Sequence, residues 1–225
     1  MINNIDVTLR DGGYQNNFHF PTDYAIKHVR ALVDSGVEWI EIGYRNGSFR
    51  PIPDIGMTGM SCDSYIQQIH NAVPEAKLVV IAHPHNIDQE DIISMKMLGV
   101  AMLRICIKTD NPQPALALCE FAKKNGLSVS MNFTRASQIN AKTLVEVAAQ
   151  CEKAGADIIY IADSNGSLRP EQTARLVNIL ECTTRLEVGF HAHDNLGLAM
   201  ANSIEAVKAG ATFIDSSLTG MGKGA

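Results

Sequence analysis

Five times along this chain a helix-like stretch closes on a Gly and passes at once into a short apolar run, and this repeated phrase limits the fold more than any other feature. It reads Asp34-Ser35-Gly36 before Val37 to Ile42, and Met97-Leu98-Gly99 before Val100 to Ile105. It recurs as Lys124-Asn125-Gly126 before Leu127 to Met131, as Lys153-Ala154-Gly155 before Ala156 to Ile161, and as Lys208-Ala209-Gly210 before Ala211 to Ile214. Gly ends a helix because it enters the left-handed region at little cost. A cation in the last turn, such as Lys124 or Lys153, suits the negative end of the helix dipole. A short β-branched run straight afterwards is the pattern of a buried parallel strand. Further runs at 5–9, 77–82 and 186–190 bring the strands to eight. Between them, helical patterns fall near 22–34, 62–72, 88–98, 111–125, 137–154, 170–181 and 195–209, with Thr22, Asp88 and Ser137 as expected caps and Pro170 in a first turn. This alternation predicts one (β/α)8 TIM barrel domain over 1–225. The other arrangement is a doubly wound open sheet, but its Gly-rich fingerprint is missing, because Gly220-Met221-Gly222-Lys223-Gly224 follows the last strand.

Composition narrows the function. The net charge of −5 comes with no basic stripe, so no nucleic-acid partner is expected. No apolar stretch is long enough to span a bilayer, and Met1 to Asp6 lacks the basic and apolar regions of a signal peptide, so no membrane partner is expected either. Five scattered cysteines without a C-x-x-C predict reduced, mostly buried thiols and a cytoplasmic location.

In a barrel of this kind, chemistry sits where the strands end, and polar residues gather at those ends. They are Arg10-Asp11-Gly12-Gly13, Glu41 with Tyr44 and Arg45, His83-Pro84-His85, Asn132, Asp163-Ser164-Asn165, His191-Ala192-His193-Asp194 and Asp215-Ser216-Ser217. Residues two apart on a strand share a face, so His191 and His193 can present two imidazoles to one point. With Asp11 at the end of another strand, they make a two-His-one-carboxylate face for a divalent metal, open to substrate. The Gly12-Gly13 pair is expected to break the strand so that Arg10 and Asp11 reach one cavity. Glu41, buried in an apolar run, needs a partner, and Arg10 is the obvious one. Asp163 and Asn165 could instead cap the next helix, and Pro84 places His83 and His85 in a loop, on the substrate side or structural.

These motifs resemble the metal-dependent aldolase, lyase and synthase superfamily that includes 4-hydroxy-2-oxovalerate aldolase, 3-hydroxy-3-methylglutaryl-CoA lyase and 2-isopropylmalate synthase. The resemblance runs from Asp6-Val7-Thr8-Leu9-Arg10-Asp11-Gly12 to Gly220-Met221-Gly222-Lys223-Gly224-Ala225. His191 to Leu196, Ala201-Asn202 and Asp215 to Gly222 look most like the pyruvate-type aldolases. The resemblance implies that Asp11, His191 and His193 bind the metal, with Mn²⁺ or Mg²⁺ expected from the mixed donors and Zn²⁺ or Co²⁺ compatible with them. It implies that Arg10 stabilises an enolate oxygen; from their own places at the strand ends, Glu41 is expected to position Arg10, and Tyr44, Arg45, Asn132, Asp163 and Asn165 to line the substrate. Such aldolases usually carry a His base where Tyr14 stands, which leaves Tyr14 or His19 for that role. The implied substrate is a small 2-oxo acid, cleaved to pyruvate and an aldehyde. The alternatives are an acyl-CoA-dependent Claisen enzyme and a non-catalytic barrel. Relative to the family, the chain stops just after strand eight, before the glycine loop's Asn and the C-terminal helices. An aldehyde dehydrogenase partner is therefore expected only for a longer form, beside a homo-oligomer of the chain itself.

Overall fold

The computed structural model describes residues 2–223; Met1 and the end of the glycine loop, Gly224 and Ala225, lie outside the described residues. Eight parallel strands close into a barrel in chain order: β1 (Asn3–Asp6), β2 (Trp39–Tyr44), β3 (Lys77–Ala82), β4 (Val100–Ile107), β5 (Ser128–Phe133), β6 (Ile158–Ala162), β7 (Glu187–His191) and β8 (Phe213–Ser216), which pairs back onto β1. Around it lie α1 (Thr22–Asp34), a short α2 (Met57–Met60), α3 (Asp63–Ala72), α4 (Gln89–Met97), α5 (Gln113–Lys124), α6 (Ala141–Lys153), α7 (Pro170–Thr183) and α8 (Ala199–Lys208). The predicted TIM barrel is the fold. The five glycines of the repeated phrase all have positive φ, from 76° at Gly126 to 117° at Gly210, so each turns the chain from helix to strand as expected.

The main apolar core lies between the strands and the helices, with residues such as Ile42, Val80, Leu103, Ile161 and Phe190 facing outward onto Ile66, Met95, Leu116 and Val177. Inside the barrel the residues are layered. The floor is apolar: Ile5, Val79, Met102, Ile158 and Phe213, with Trp39 against them. Two residues further along their strands, the inward positions become Glu41, Arg104, Tyr160 and Asp215. A Cβ on Gly189 would lie 2.1 Å from a Tyr160 ring carbon, so only glycine leaves room for that ring.

Several local expectations are corrected. β1 ends at Asp6, not Leu9: Asp6 accepts from the Thr8 N–H at 3.0 Å and the Thr8 hydroxyl at 2.9 Å, and this local bonding curls the chain out of the sheet. The Arg10 and Asp11 N–H groups then both donate to the Val7 carbonyl, at 3.1 and 2.7 Å. Asp11 thus sits in a turn beyond the strand. That turn, rather than a glycine break, brings Arg10 and Asp11 together. Gly12 and Gly13 serve close packing, because Cβ atoms there would meet Met221 at 2.9 Å and the Phe18 ring at 2.3 Å. Asp88 caps α4 with a capping box, and Pro170 opens α7. Thr22 does not cap, since α1 begins on it after Pro21. Ser137 lies in a separate 3-10 turn, and Asn140 caps α6 instead.

Candidate metal centre

At the C-terminal mouth, β7 delivers His191, the loop after it delivers His193, and the β1 turn delivers Asp11; one ligand atom of each lies within 4.8 Å of the others. The two Nε2 atoms face each other at 3.2 Å, and His193 Nε2 is 3.6 Å from Asp11 Oδ2. His191 Nδ1 lies 2.7 Å from Asp215 Oδ2, which places the proton on Nδ1 and turns the Nε2 lone pair inward. Ligand distances near 2.0–2.2 Å would set neighbouring donors about 3 to 4.4 Å apart, so this group fits a divalent cation. Asp11 Oδ2 also accepts from the Lys223 N–H at 3.0 Å, an approach allowed because a Cβ on Gly222 would come within 2.3 Å of that oxygen.

Beneath the group, ion pairs form a circuit. Arg10 donates from Nη1 to Asp11 Oδ1 at 2.5 Å and from Nε to Glu41. Arg104 donates from Nη1 to the other Glu41 oxygen at 2.6 Å and from Nη2 to Asp215 Oδ2 at 2.9 Å, and Asp215 returns to His191. Glu41 and Arg104 are wholly buried, so neither charge would be tolerated alone. Three carboxylates (Asp11, Glu41, Asp215) against two guanidiniums (Arg10, Arg104) leave one net negative charge with neutral imidazoles, suited to a cation. Burial alone would raise the Asp11 carboxyl, but Arg10, then His193 and His191, hold it well below the ordinary range. Burial likewise opposes ionisation of Asp215, and Arg104 followed by His191 brings it to about 2. Both carboxylates are therefore ionised at neutral pH.

The remaining predicted residues divide. Tyr14 and Tyr44 are at the mouth: the Tyr14 hydroxyl lies 2.7 Å from Ser48 Oγ and 3.2 Å from the Tyr44 hydroxyl, and the Arg10 guanidinium is 5.8 Å from the Tyr44 ring centre. Asn132 faces inward beneath the mouth; with its amide oriented so that oxygen meets Arg104, it accepts from Nε at 3.1 Å and Nη2 at 2.9 Å. It steadies the circuit and is nearly shut off from solvent. The geometry does not bring the others to the centre. Arg45 is consumed by Asp63 at 2.6 Å, Asp91 at 2.9 Å and the Ser61 carbonyl at 2.8 Å, tying β2 to α3 and α4. The His19 ring is half exposed and turned to the Asp54 carbonyl at 2.8 Å. Asp163 accepts from the Leu168 N–H at 2.9 Å, bracing the loop before α7, and Asn165 is exposed and reaches Ser137. Sequence reasoning missed Arg104 and Ser48. Arg104 had a visible signal, as the lone charge in the apolar run Val100 to Ile107, the same signal that marked Glu41.

The HMGL-like family model matches residues 1–225. The chain belongs to the HMGL-like family. Among its curated relatives, 4-hydroxy-2-oxovalerate aldolase from Geobacillus genomosp. 3 is 31% identical over 220 residues, covering 98% of this chain and 65% of that protein. Oxaloacetate decarboxylase from Mycobacterium tuberculosis is 29% identical over 221 residues, with 98% and 65% covered. The chain thus spans about 65% of the length of these HMGL-like relatives. In structure it resembles the N-terminal domain of a candidate aldolase from Bacteroides vulgatus, with TM-score 0.82, 31% identity, and 99% of this chain and 74% of that one covered. The carboxyl transferase domain of Rhizobium etli pyruvate carboxylase shares the fold at TM-score 0.80 and 19% identity, covering 99% and 40%.

Proposed function

We propose that this HMGL-like barrel carries the site of a carbon–carbon lyase that cleaves a 4-hydroxy-2-oxo acid to pyruvate, or a similar 2-oxo acid, and an aldehyde. The observation that carries the reading is the Asp11, His191 and His193 group set beside a guanidinium with one free end. Arg10 spends Nε on Glu41 and Nη1 on Asp11, while Nη2 has no partner among the described residues. That nitrogen would donate to an oxygen gaining charge as the C3–C4 bond breaks, and a guanidinium fixed in advance needs no reorganisation at that moment. Asp11, His191 and His193 would hold a divalent cation, Mn²⁺ or Mg²⁺ by their mixed oxygen and nitrogen atoms. When bound, it supplies Lewis acidity toward the 2-oxo group. The Tyr14, Tyr44 and Ser48 hydroxyls form a linked set at the mouth, and we assign them the relay of the proton from the leaving 4-hydroxyl to C3 of the enolate. The names of the aldolase and decarboxylase relatives support a 2-oxo acid lyase as a class.

The test is metal content by mass spectrometry together with pyruvate release from 4-hydroxy-2-oxo acids in added Mn²⁺ or Mg²⁺. About one metal per chain, lost in His191→Ala/His193→Ala, with metal-dependent pyruvate release, would uphold the reading. Turnover of acetyl-CoA with a 2-oxo acid, in place of cleavage, would replace it with Claisen chemistry.

A further inference from the structure

A patch at the mouth, on the β3 and β4 side, has no part in the reading so far. His83 follows Ile81 at a spacing of two, and Lys108 follows Arg104 and Cys106 at the same spacing, so both continue inward-facing rows just beyond their strands. The Lys108 ammonium sits 4.9 Å from the Phe49 ring centre. Phe49 packs on His83 at 5.4 Å and on His85 at 6.0 Å, and the two imidazoles are 5.6 Å apart. His83 stacks on Tyr44 at 5.8 Å, and Tyr44 faces Arg10. A continuous wall therefore runs from the arginine of the metal centre to Lys108.

Lys108 donates to no carboxylate or carbonyl among the described residues, as is also true of Lys124 and Lys153 on the outer helices; what sets it apart is its seat over Phe49 at the mouth, against the wall of imidazoles. An ammonium held over an aromatic face beside two imidazoles is a cationic rim without an anion. Burial first, then His85, Arg10 and Lys108, bring His83 down to about 4, so its ring stays neutral at physiological pH and the local field is positive. That field repels protons and attracts carboxylates.

We propose that the rim of Phe49, His83, His85 and Lys108 receives a second carboxylate of the substrate, making this chain selective for 2-oxo acids with an anionic tail. The proposal rests on the 2-oxo acid reading above, with the C1 end toward Asp11, His191 and His193. Lys108 supplies the charge, and the imidazoles supply N–H groups at the rim.

The Mn²⁺-loaded chain tests this by calorimetric titration with matched pairs that differ only in the terminal carboxylate: 2-oxoglutarate against 2-oxopentanoate, and oxaloacetate against 2-oxobutanoate. In at least one pair the diacid should bind about tenfold more tightly, the gain expected of one charge-assisted hydrogen bond. In Lys108→Gln that ratio should fall to near one, and Lys108→Arg should restore most of it. If the monoacids bind but the diacids bind no better, or if Lys108→Gln leaves the ratio unchanged, the rim proposal is overturned and the 2-oxo acid reading stands. If no 2-oxo acid binds the loaded chain, both are overturned.

Discussion

Arg104 is the keystone of the ionic layer, and replacing it should cost more than any other single change at the site. In Arg104→Met the side-chain volume is roughly kept, but Glu41 is left with Arg10 alone and Asp215 with His191 alone. Both carboxylates are essentially inaccessible to water, so neither gains hydration in return. Removing one partner from a buried pair typically costs about 3–5 kcal/mol. Protonation sets a ceiling: forcing one carboxyl of ordinary pKa near 3.9 to hold a proton at pH 7 costs about 4 kcal/mol. We therefore expect about 4 kcal/mol of destabilisation at pH 7, read by urea unfolding of the metal-free chain. The pH trend distinguishes this from a packing defect. In the wild type, Asp215 is depressed to about 2, so its contribution is present above pH 4 and is lost only as pH falls toward 2. In the variant an orphaned, buried carboxyl is raised, so its stability is present at low pH and is lost as pH rises. Arg104→Met should thus lose stability between pH 5 and pH 7, relative to the wild type. A loss under about 1 kcal/mol, or a deficit that does not change with pH, would refute the circuit as an energetic unit.

Asp215→Asn should weaken metal binding by about 10–100-fold, because it unfixes the His191 tautomer; competition with a chelating dye would measure it, and unchanged affinity would remove Asp215 from that role. Arg10→Ala should lower turnover of the 2-oxo acid by about two to three orders of magnitude while metal content is retained; normal turnover would exclude Arg10 from charge stabilisation. His83 titrates near 4 when folded and about 6.5 when unfolded. Its contribution is complete above pH 6.5 and shrinks on acidification to about pH 4, by up to about 3 kcal/mol. His83→Gln should flatten the difference between unfolding free energies at pH 6.5 and 4.5, and parallel curves for the two proteins would contradict the burial argument.

Much of this molecule was written locally. The helix–Gly–strand phrase depends on near neighbours: glycine's freedom at positive φ, a cation in the last turn, and the period of the apolar residues. Five such units and three further apolar runs give eight strands alternating with helices, which can close in few ways, so the barrel was legible. So was the pairing of His191 with His193: their spacing of two brings the rings together even though β7 ends at His191 and His193 lies in the loop beyond it. The 5–9 run misled because Ile5, Val7 and Leu9 alternate like a strand, while Asp6 and Thr8 bond to each other and curl the backbone. Arg45 and His19 carried the right chemistry in the right stretch, yet neighbouring loops and helices claimed them: Asp63 and Asp91 hold the first, and the Asp54 loop holds the second.

What the sequence alone determined is the barrel and its open end, with Asp11, His191 and His193 legible as a candidate metal group from the segment after β1 and the two-residue spacing at the end of β7. Only the tertiary structure decided which charges neutralise which. Arg104 meets Asp215 across 111 positions and Glu41 across 63. No local pattern encodes such pairings, because the energy that makes them, the cost of a buried charge without a partner, exists only after the barrel has closed and excluded water.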